Sequence, residues 1–243
     1  YVEINETKQW INIYGKNKNN PVLLYLHGGP GSSTSEIDYA FTRKWADIFT
    51  VVTWDQRNCG KSYNKSQNNI TLTKDMLMED GKEMTEFIKS YLNVDKITLL
   101  GHSWGSIYGA NLVLAYPDCY NLFIGCGQLV DIVGNEEAFK KEAIKWAKND
   151  EETLKLLEKV HPEDITPDSI KAKNKILKKY GYNIMKDGAD YFFPAAILFN
   201  PNYSVKDWFS YFKRDKEMYL DFFERMNLSR FHLPVNMNIA FHI

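Results

Sequence analysis

The stretch from residue 96 to residue 116 constrains the fold more than any other part of the chain. "KITLLG" (96–101) is a continuous apolar run, typical of a strand buried on both faces. It leads directly into the Gly-x-Ser-x-Gly sequence of residues 101–105, and a mostly apolar helix is predicted from there to Pro117. This order is the arrangement of a serine nucleophile on a sharp strand-to-helix turn, which makes Ser103 the candidate nucleophile. The alternative is a serine that caps an ordinary helix.

Two further loops follow predicted buried strands. "PVLLYLHGG" (21–29) opens a glycine-rich loop, and "FTVVTWD" (49–55) opens a loop that begins with Asp55. Because carboxyl ends of parallel strands meet at one sheet edge, where ligands bind in such sheets, we expect the three loops to lie together. The glycine-rich loop is either an oxyanion site or a tight turn without a catalytic role. A phosphate cradle is disfavoured, because the loop lacks the Gly-Lys-Ser/Thr ending. For Asp55 and Arg57 we predict a structural ion pair that braces the loop, and the alternative is a catalytic role.

The order of "LLYLHGGPGSS", "VVTWDQRNCGKSY" and "LLGHSWGS" resembles the proline iminopeptidase-like branch of the α/β-hydrolase superfamily. The resemblance implies an α/β fold with a mostly parallel sheet, flanking helices and an inserted helical cap. It implies Ser103 as nucleophile and the N–H groups of Gly29 and Trp104 as oxyanion donors. It also implies a cap whose acidic residues recognise the free amine of a peptide. Glu136 and Glu137 are candidates for that role, and their alternative is to be exposed carboxylates at a helix start.

Composition along the chain changes from an alternating strand and helix pattern to a helical one. The resemblance implies that these regions are a hydrolase core over residues 1–130, a helical cap over 131–230 and an incomplete return to the sheet over 231–243. Within the core, residues 72–92 form a predicted amphipathic helix with Tyr91 on its buried face. Within the cap, lysines are expected on the outer positions. The predicted cap elements are two helices within 135–160 that meet near Asn149-Asp150, a third that starts at Thr166-Pro167, and an aromatic-rich stretch over 191–225.

The catalytic base is the missing part of the pattern. In this superfamily an acid and then a histidine follow the serine, but no acidic residue follows Pro234-Val235, where the strand after the cap is predicted. The sequence is therefore interpreted as truncated at its carboxyl end or as having an altered tail. The alternative is that Asp131 orients His242 toward Ser103. Without a base, residues 1–243 are expected to have little peptidase activity.

Composition narrows the function classes. The formal net charge of −1 predicts no bulk attraction to nucleic acid or anionic membranes, and no apolar run is long enough to span a bilayer. The three cysteines have neither paired nor metal-type spacing, which predicts a reducing, cytoplasmic compartment. No metal or organic cofactor is implied.

The expected partner is a short peptide or a small ester, and oligomeric state is left open. The resemblance implies release of an amino-terminal residue, preferably proline, through an acyl-enzyme. The alternatives are an esterase of the same fold and a non-catalytic binding protein that keeps the pocket.

Overall fold

The computed structural model describes residues 1–67, 69–163, 165–180 and 196–209. Its six strands form one sheet in the order β1-β2-β4-β3-β5-β6. They are β1 (Val2–Ile4), β2 (Thr7–Tyr14), β3 (Val22–Leu26), β4 (Thr50–Asp55), β5 (Ile97–His102) and β6 (Tyr120–Cys126). Strands β3, β4, β5 and β6 run parallel, whereas β1 and β2 are antiparallel additions. The mostly parallel sheet expected from the sequence is thereby confirmed.

Six α-helices have both of their ends within the described residues. They are α1 (Asp38–Trp45), α2 (Lys74–Leu92), α3 (Trp104–Ala115), α4 (Ile132–Ala147), α5 (Glu151–Leu157) and α6 (Pro167–Lys179). None of these helices combines the length and the apolar character needed to cross a bilayer.

The main core lies on the central strands. Every residue of β3 and β4 is buried, and Leu24, Val52 and Leu99 belong to one apolar cluster with side chains of α2 and α3. Burial on both faces explains why these strands are continuous apolar runs instead of alternating patterns.

The ends of the helices follow local capping chemistry. The Thr73 side chain accepts a hydrogen bond from Met76 N–H at the start of α2. The position of this helix agrees with the prediction over residues 72–92. One detail of that prediction is wrong: Tyr91 is 66% exposed. Helix α1 begins at Asp38, and Ser33 Oγ donates to Glu36 Oε2 at 3.1 Å in the turn before it.

Helices α4, α5 and α6 have a small apolar cluster of their own. Its buried members are Ala143, Ala147, Leu157 and Ile176. The predicted break near residues 149–150 and the predicted helix start at Thr166-Pro167 are both confirmed. The strand predicted at Pro234-Val235 and most of the aromatic stretch 191–225 lie outside the described residues.

Candidate active site

Ser103 occupies the turn between β5 and α3. Its backbone has φ +52° and ψ −119°, a positive φ that residues other than glycine rarely adopt. Ser103 N–H donates to Cys126 O at 2.9 Å, and Ser106 donates to Ser103 O through both its N–H and its hydroxyl, at 2.8 and 2.6 Å. The strained conformation is therefore held by a hydrogen bond to β6 and by hydrogen bonds from the first turn of α3.

The glycines on either side of the serine allow a close approach between the helix and two strands. A Cβ atom on Gly101 would lie 2.2 Å from Gly105 O, and one on Gly105 would lie 2.1 Å from Leu26 O. Both obstacles are backbone atoms, which cannot rotate away as a side chain can. The turn is compatible only with glycine at these two positions.

The glycine-rich loop after β3 passes directly beside the serine. Gly29 has φ +118°, and a Cβ atom on Gly28 would lie 3.3 Å from Ser103 Cβ. Gly29 and Trp104, the two predicted oxyanion donors, line one cavity together with Ser103. The structure thus brings these three predicted site residues together.

Trp104 connects the serine turn to the loop after β4. The buried indole donates from Nε1 to Gln56 Oε1 at 3.2 Å and stacks on Tyr108 with ring centres 5.9 Å apart. Gln56 N–H in turn donates to His27 Nε2 at 3.2 Å. The three loops therefore meet at the carboxyl ends of β3, β4 and β5, as predicted.

His27 braces this junction and is fully buried. Because Nε2 accepts from Gln56 N–H, the ring proton resides on Nδ1, which donates to Gly28 O at 2.8 Å. Burial lowers the pKa of His27 to about 4, so the ring is neutral near pH 7. With both ring nitrogens engaged, His27 is unsuited to take a proton from Ser103.

The predicted ion pair between Asp55 and Arg57 is wrong. Arg57 forms a two-pronged salt bridge with Asp80 of α2, from Nε and from a terminal nitrogen, both at 2.6 Å. Asp55 instead accepts from Ser35 Oγ at 2.6 Å and from Lys61 N–H at 2.8 Å. Burial raises the pKa of Asp55 to about 7, because the cost of desolvation outweighs the hydrogen bonds that the carboxylate accepts.

The cavity beside Ser103 has a volume of about 200 Å³. Its walls combine the sheet edge with side chains from α4, α6 and the loop between α5 and α6. Those contributions include Ile132, Glu136, Ile165, Ile170 and Lys173. Among the described residues, no group of three or more His, Cys, Asp or Glu side chains could hold a metal ion.

The two carboxylate candidates for amine recognition are in different environments. Glu136 is buried in the cavity wall, where its Oε1 accepts a hydrogen bond from Lys173 Nζ. Glu137 is exposed and is not among the residues that line the cavity. Asp131 is also exposed and stands at the N-cap of α4 without a capping hydrogen bond from its side chain. Its predicted partner His242 lies outside the described residues.

Lys173 is the site residue that sequence reasoning missed, since lysines of this region were expected to face outward. The spacing of residues along α6 indicates that Lys173 faces inward. Ser169, Ala172 and Ile176 are the buried residues of α6, and Lys173 lies one helical turn after Ser169 on the same side.

Comparison with known proteins defines the class of this molecule. A family model described as alpha/beta hydrolase fold matches residues 21–157, which is more than half of the chain. This chain belongs to the α/β-hydrolase fold family, in agreement with its sheet and its serine turn.

Individual relatives are peptidases by name. The chain is 36% identical over 132 residues to "Probable aminopeptidase YbaC" of Bacillus subtilis, covering 54% of this chain and 41% of that protein. It is 29% identical over 121 residues to the proline iminopeptidase of Neisseria gonorrhoeae, covering 49% of this chain and 36% of that protein. The matches thus span about two fifths of the relatives' length, and they confirm the resemblance drawn from the three motifs.

A solved structure supports the fold. A proline iminopeptidase-related protein from Thermus thermophilus superposes with a TM-score of 0.55 at 20% identity, covering 91% of this chain and 73% of that chain.

Proposed function

We propose that this protein is a serine hydrolase in which Ser103 attacks the acyl carbon of its substrate. The observation that carries the proposal is the Ser103 turn, with φ +52° and ψ −119° at the junction of β5 and α3, beside the glycine-rich loop. Strain of this kind is concentrated at functional sites, and here it is maintained by hydrogen bonds with two elements.

The proposed chemistry is acyl transfer through a covalent intermediate. Ser103 Oγ forms a bond to the carbonyl carbon while its proton passes to a base, and the carbonyl oxygen becomes an oxyanion. The N–H groups of Gly29 and Trp104 stabilise that oxyanion, and the amino terminus of α3 adds a positive potential. The leaving group departs with a proton, and water then releases the acyl group from the serine.

The base is proposed to be a histidine outside the described residues. His27 is excluded by its two hydrogen bonds and its lowered pKa. His102 and His161 are exposed, and neither is among the residues that line the cavity. His242, oriented by Asp131, is the candidate that the sequence offers.

The proposed substrate is a short peptide with a free amino-terminal residue, preferably proline. The names of the relatives support this class, and Glu136 supplies a carboxylate in the cavity that suits an ammonium group. A cavity of about 200 Å³ lies below the roughly 300–1,000 Å³ of typical ligand sites, which favours a single residue-sized acyl group. We further propose that residues 1–130 are the core and 131–230 the cap over this cavity.

The proposal is tested by covalent labelling and by substrate choice. The purified protein is treated with a fluorophosphonate, and the labelled peptide is identified by mass spectrometry. Label on Ser103, lost in Ser103→Ala and retained in the exposed-serine control Ser90→Ala, is the expected result. No label on Ser103 in the folded protein would contradict the proposed nucleophile.

Substrate class is resolved with prolyl, alanyl and amine-blocked arylamides and with a small acetyl ester. Residues 1–243 are expected to cleave slowly, and the free-amine arylamides faster than the blocked one. Equal turnover of the blocked compound, or turnover of the ester alone, would instead favour the esterase alternative.

A further inference from the structure

The cavity beside Ser103 contains an internal ion pair. Glu136 of α4 and Lys173 of α6 both line it, and Lys173 Nζ donates to Glu136 Oε1. Their side chains are only 12% and 23% exposed. The cavity therefore presents a carboxylate whose charge is already neutralised by an ammonium group of the protein.

Burial obliges the Glu136 carboxylate to keep a cation beside it. An isolated buried carboxylate is strongly disfavoured, and removing one partner of a buried pair leaves an uncompensated charge. Within the described ranges of the chain, Lys173 is the cation that forms a salt bridge with Glu136. Any step that moves Lys173 away has to supply another cation or a proton in its place.

Lys173 is the partner that can leave. Its ammonium is carried on a flexible four-carbon stem, whereas the Glu136 side chain is shorter and more deeply buried. Lys173 Nζ also lies 4.9 Å from the centre of the Phe139 ring, a cation–π contact that does not involve Glu136. The lysine charge thus has a second favourable contact when the carboxylate is taken by a ligand.

We propose that Lys173 is an internal competitor that occupies the position of a substrate's ammonium group on Glu136. A ligand with a free α-amine displaces Lys173 and keeps the carboxylate paired, whereas a ligand without an amine gains nothing from the exchange. Lys173 is then a specificity-determining residue that weakens the binding of every amine-bearing ligand by the cost of its own displacement. The inference rests on the proposed recognition of a substrate amine by Glu136, and it concerns binding alone.

The test measures binding in the Ser103→Ala background, where no hydrolysis occurs. Alaninamide carries the ammonium group, and propionamide is the matched ligand without it; both are titrated by calorimetry. Lys173→Met is expected to tighten alaninamide binding about tenfold, equivalent to about 1.4 kcal/mol, and to leave propionamide unchanged. Lys171→Met removes a charge from the exposed side of the same helix and is expected to change neither ligand.

Two further variants complete the design. Lys173→Arg retains a cation and is expected to show no tenfold gain. Glu136→Gln is expected to remove the preference for alaninamide over propionamide. Because Lys173→Met leaves Glu136 unpaired, its melting temperature is expected to fall and to be raised by alaninamide more than that of the parent.

Unchanged or weaker alaninamide binding in folded Lys173→Met would overturn the proposal, as would an equal gain for propionamide. If that variant does not fold, Lys173→Gln, which can hydrogen bond without a charge, carries the same expectation. The outcome is separable from that of the nucleophile proposal, since labelling of Ser103 is read in a different experiment and needs no amine recognition.

Discussion

The sheet with α2 and α3, and the helices α4 to α6, are held together in different ways. The sheet region has a continuous apolar cluster, backbone contacts too close for any Cβ atom, and a buried salt bridge between Arg57 and Asp80. The described part of the α4–α6 region has a smaller apolar cluster, and several of its ion pairs are exposed. The nucleophile candidate therefore stands on the rigid region, whereas the charged cavity wall comes from the region expected to open more easily.

The largest difference in stability between the two regions is expected when one glycine in each is changed to alanine. Gly105→Ala places a Cβ atom 2.1 Å from Leu26 O and 2.7 Å from His27 O, so strands must separate from the helix. A loss of more than about 4 kcal/mol, or failure to fold, is expected in urea unfolding.

The matched change in α4 is Gly134→Ala, where the nearest obstacle is Asp131 Oδ2, the end of an exposed side chain. Its stability is expected within about 1 kcal/mol of the parent, since alanine also favours the helix by about that amount. Comparable losses of unfolding free energy in Gly105→Ala and Gly134→Ala would show that the two regions tolerate an added Cβ atom equally.

A smaller difference in stability is expected when one salt bridge in each region is broken. Arg57→Leu leaves Asp80 buried without its cation and is expected to cost about 3–5 kcal/mol in the free energy of unfolding. Lys145→Gln breaks a pair with Glu142 whose side chains are 61% and 48% exposed, and is expected to cost less than about 1 kcal/mol. Chemical denaturation of both variants checks the difference, and a small effect of Arg57→Leu would contradict it.

The next effect is a dependence on pH. Burial raises the pKa of Asp55 to about 7. Between about pH 4 and pH 7, folded protein therefore holds a proton that unfolded protein has released. The free energy of unfolding falls as the pH rises through this range. His27, with its pKa lowered to about 4, acts in the opposite direction, and its contribution is lost as pH falls from about 6.5 to 4.

Removing Asp55 should expose the pH dependence of stability that His27 causes. Asp55→Asn is expected to make the free energy of unfolding rise by about 1.4 kcal/mol per pH unit more steeply than in the parent between pH 4 and 6.5. Asp150→Asn is the control from α5: hydrogen bonds from Lys179, Thr153 and Tyr180 lower the pKa of Asp150, so its effect should lie below that window. An unchanged slope in Asp55→Asn would refute the assignment.

The smallest effect distinguishes global from local unfolding. Ile107 and Ile176 are both fully buried, one in the main cluster and one in the α4–α6 cluster. Ile→Val at either position is expected to cost about 0.5–1.5 kcal/mol. In native-state hydrogen exchange, Ile107→Val should reduce protection of the slowest amides, whereas Ile176→Val should reduce it only in α4 to α6. Equal changes throughout the molecule would indicate a single cooperative unit.

Much of the site's framework could be predicted because its signals are local. The run into Ser103, the glycines of the loop after β3 and the capping threonines each act on neighbouring backbone, and the structure places these elements where the sequence indicates. By contrast, the Asp55–Arg57 pair was predicted from proximity along the chain and is wrong.

The sequence by itself determined the order of strands and helices, the three loops at one sheet edge and the serine between two obligatory glycines, because periodicity and backbone sterics operate over a few residues. Tertiary structure alone decided the partners of the charges. Arg57 forms its salt bridge with Asp80, and Asp55 accepts hydrogen bonds from Ser35 and Lys61 instead. Lys173 pairs with Glu136, from which it is separated by 37 positions in the sequence. The physical reason is that a buried charge selects whichever opposite charge or donor the packing brings within reach, and that depends on how distant segments meet.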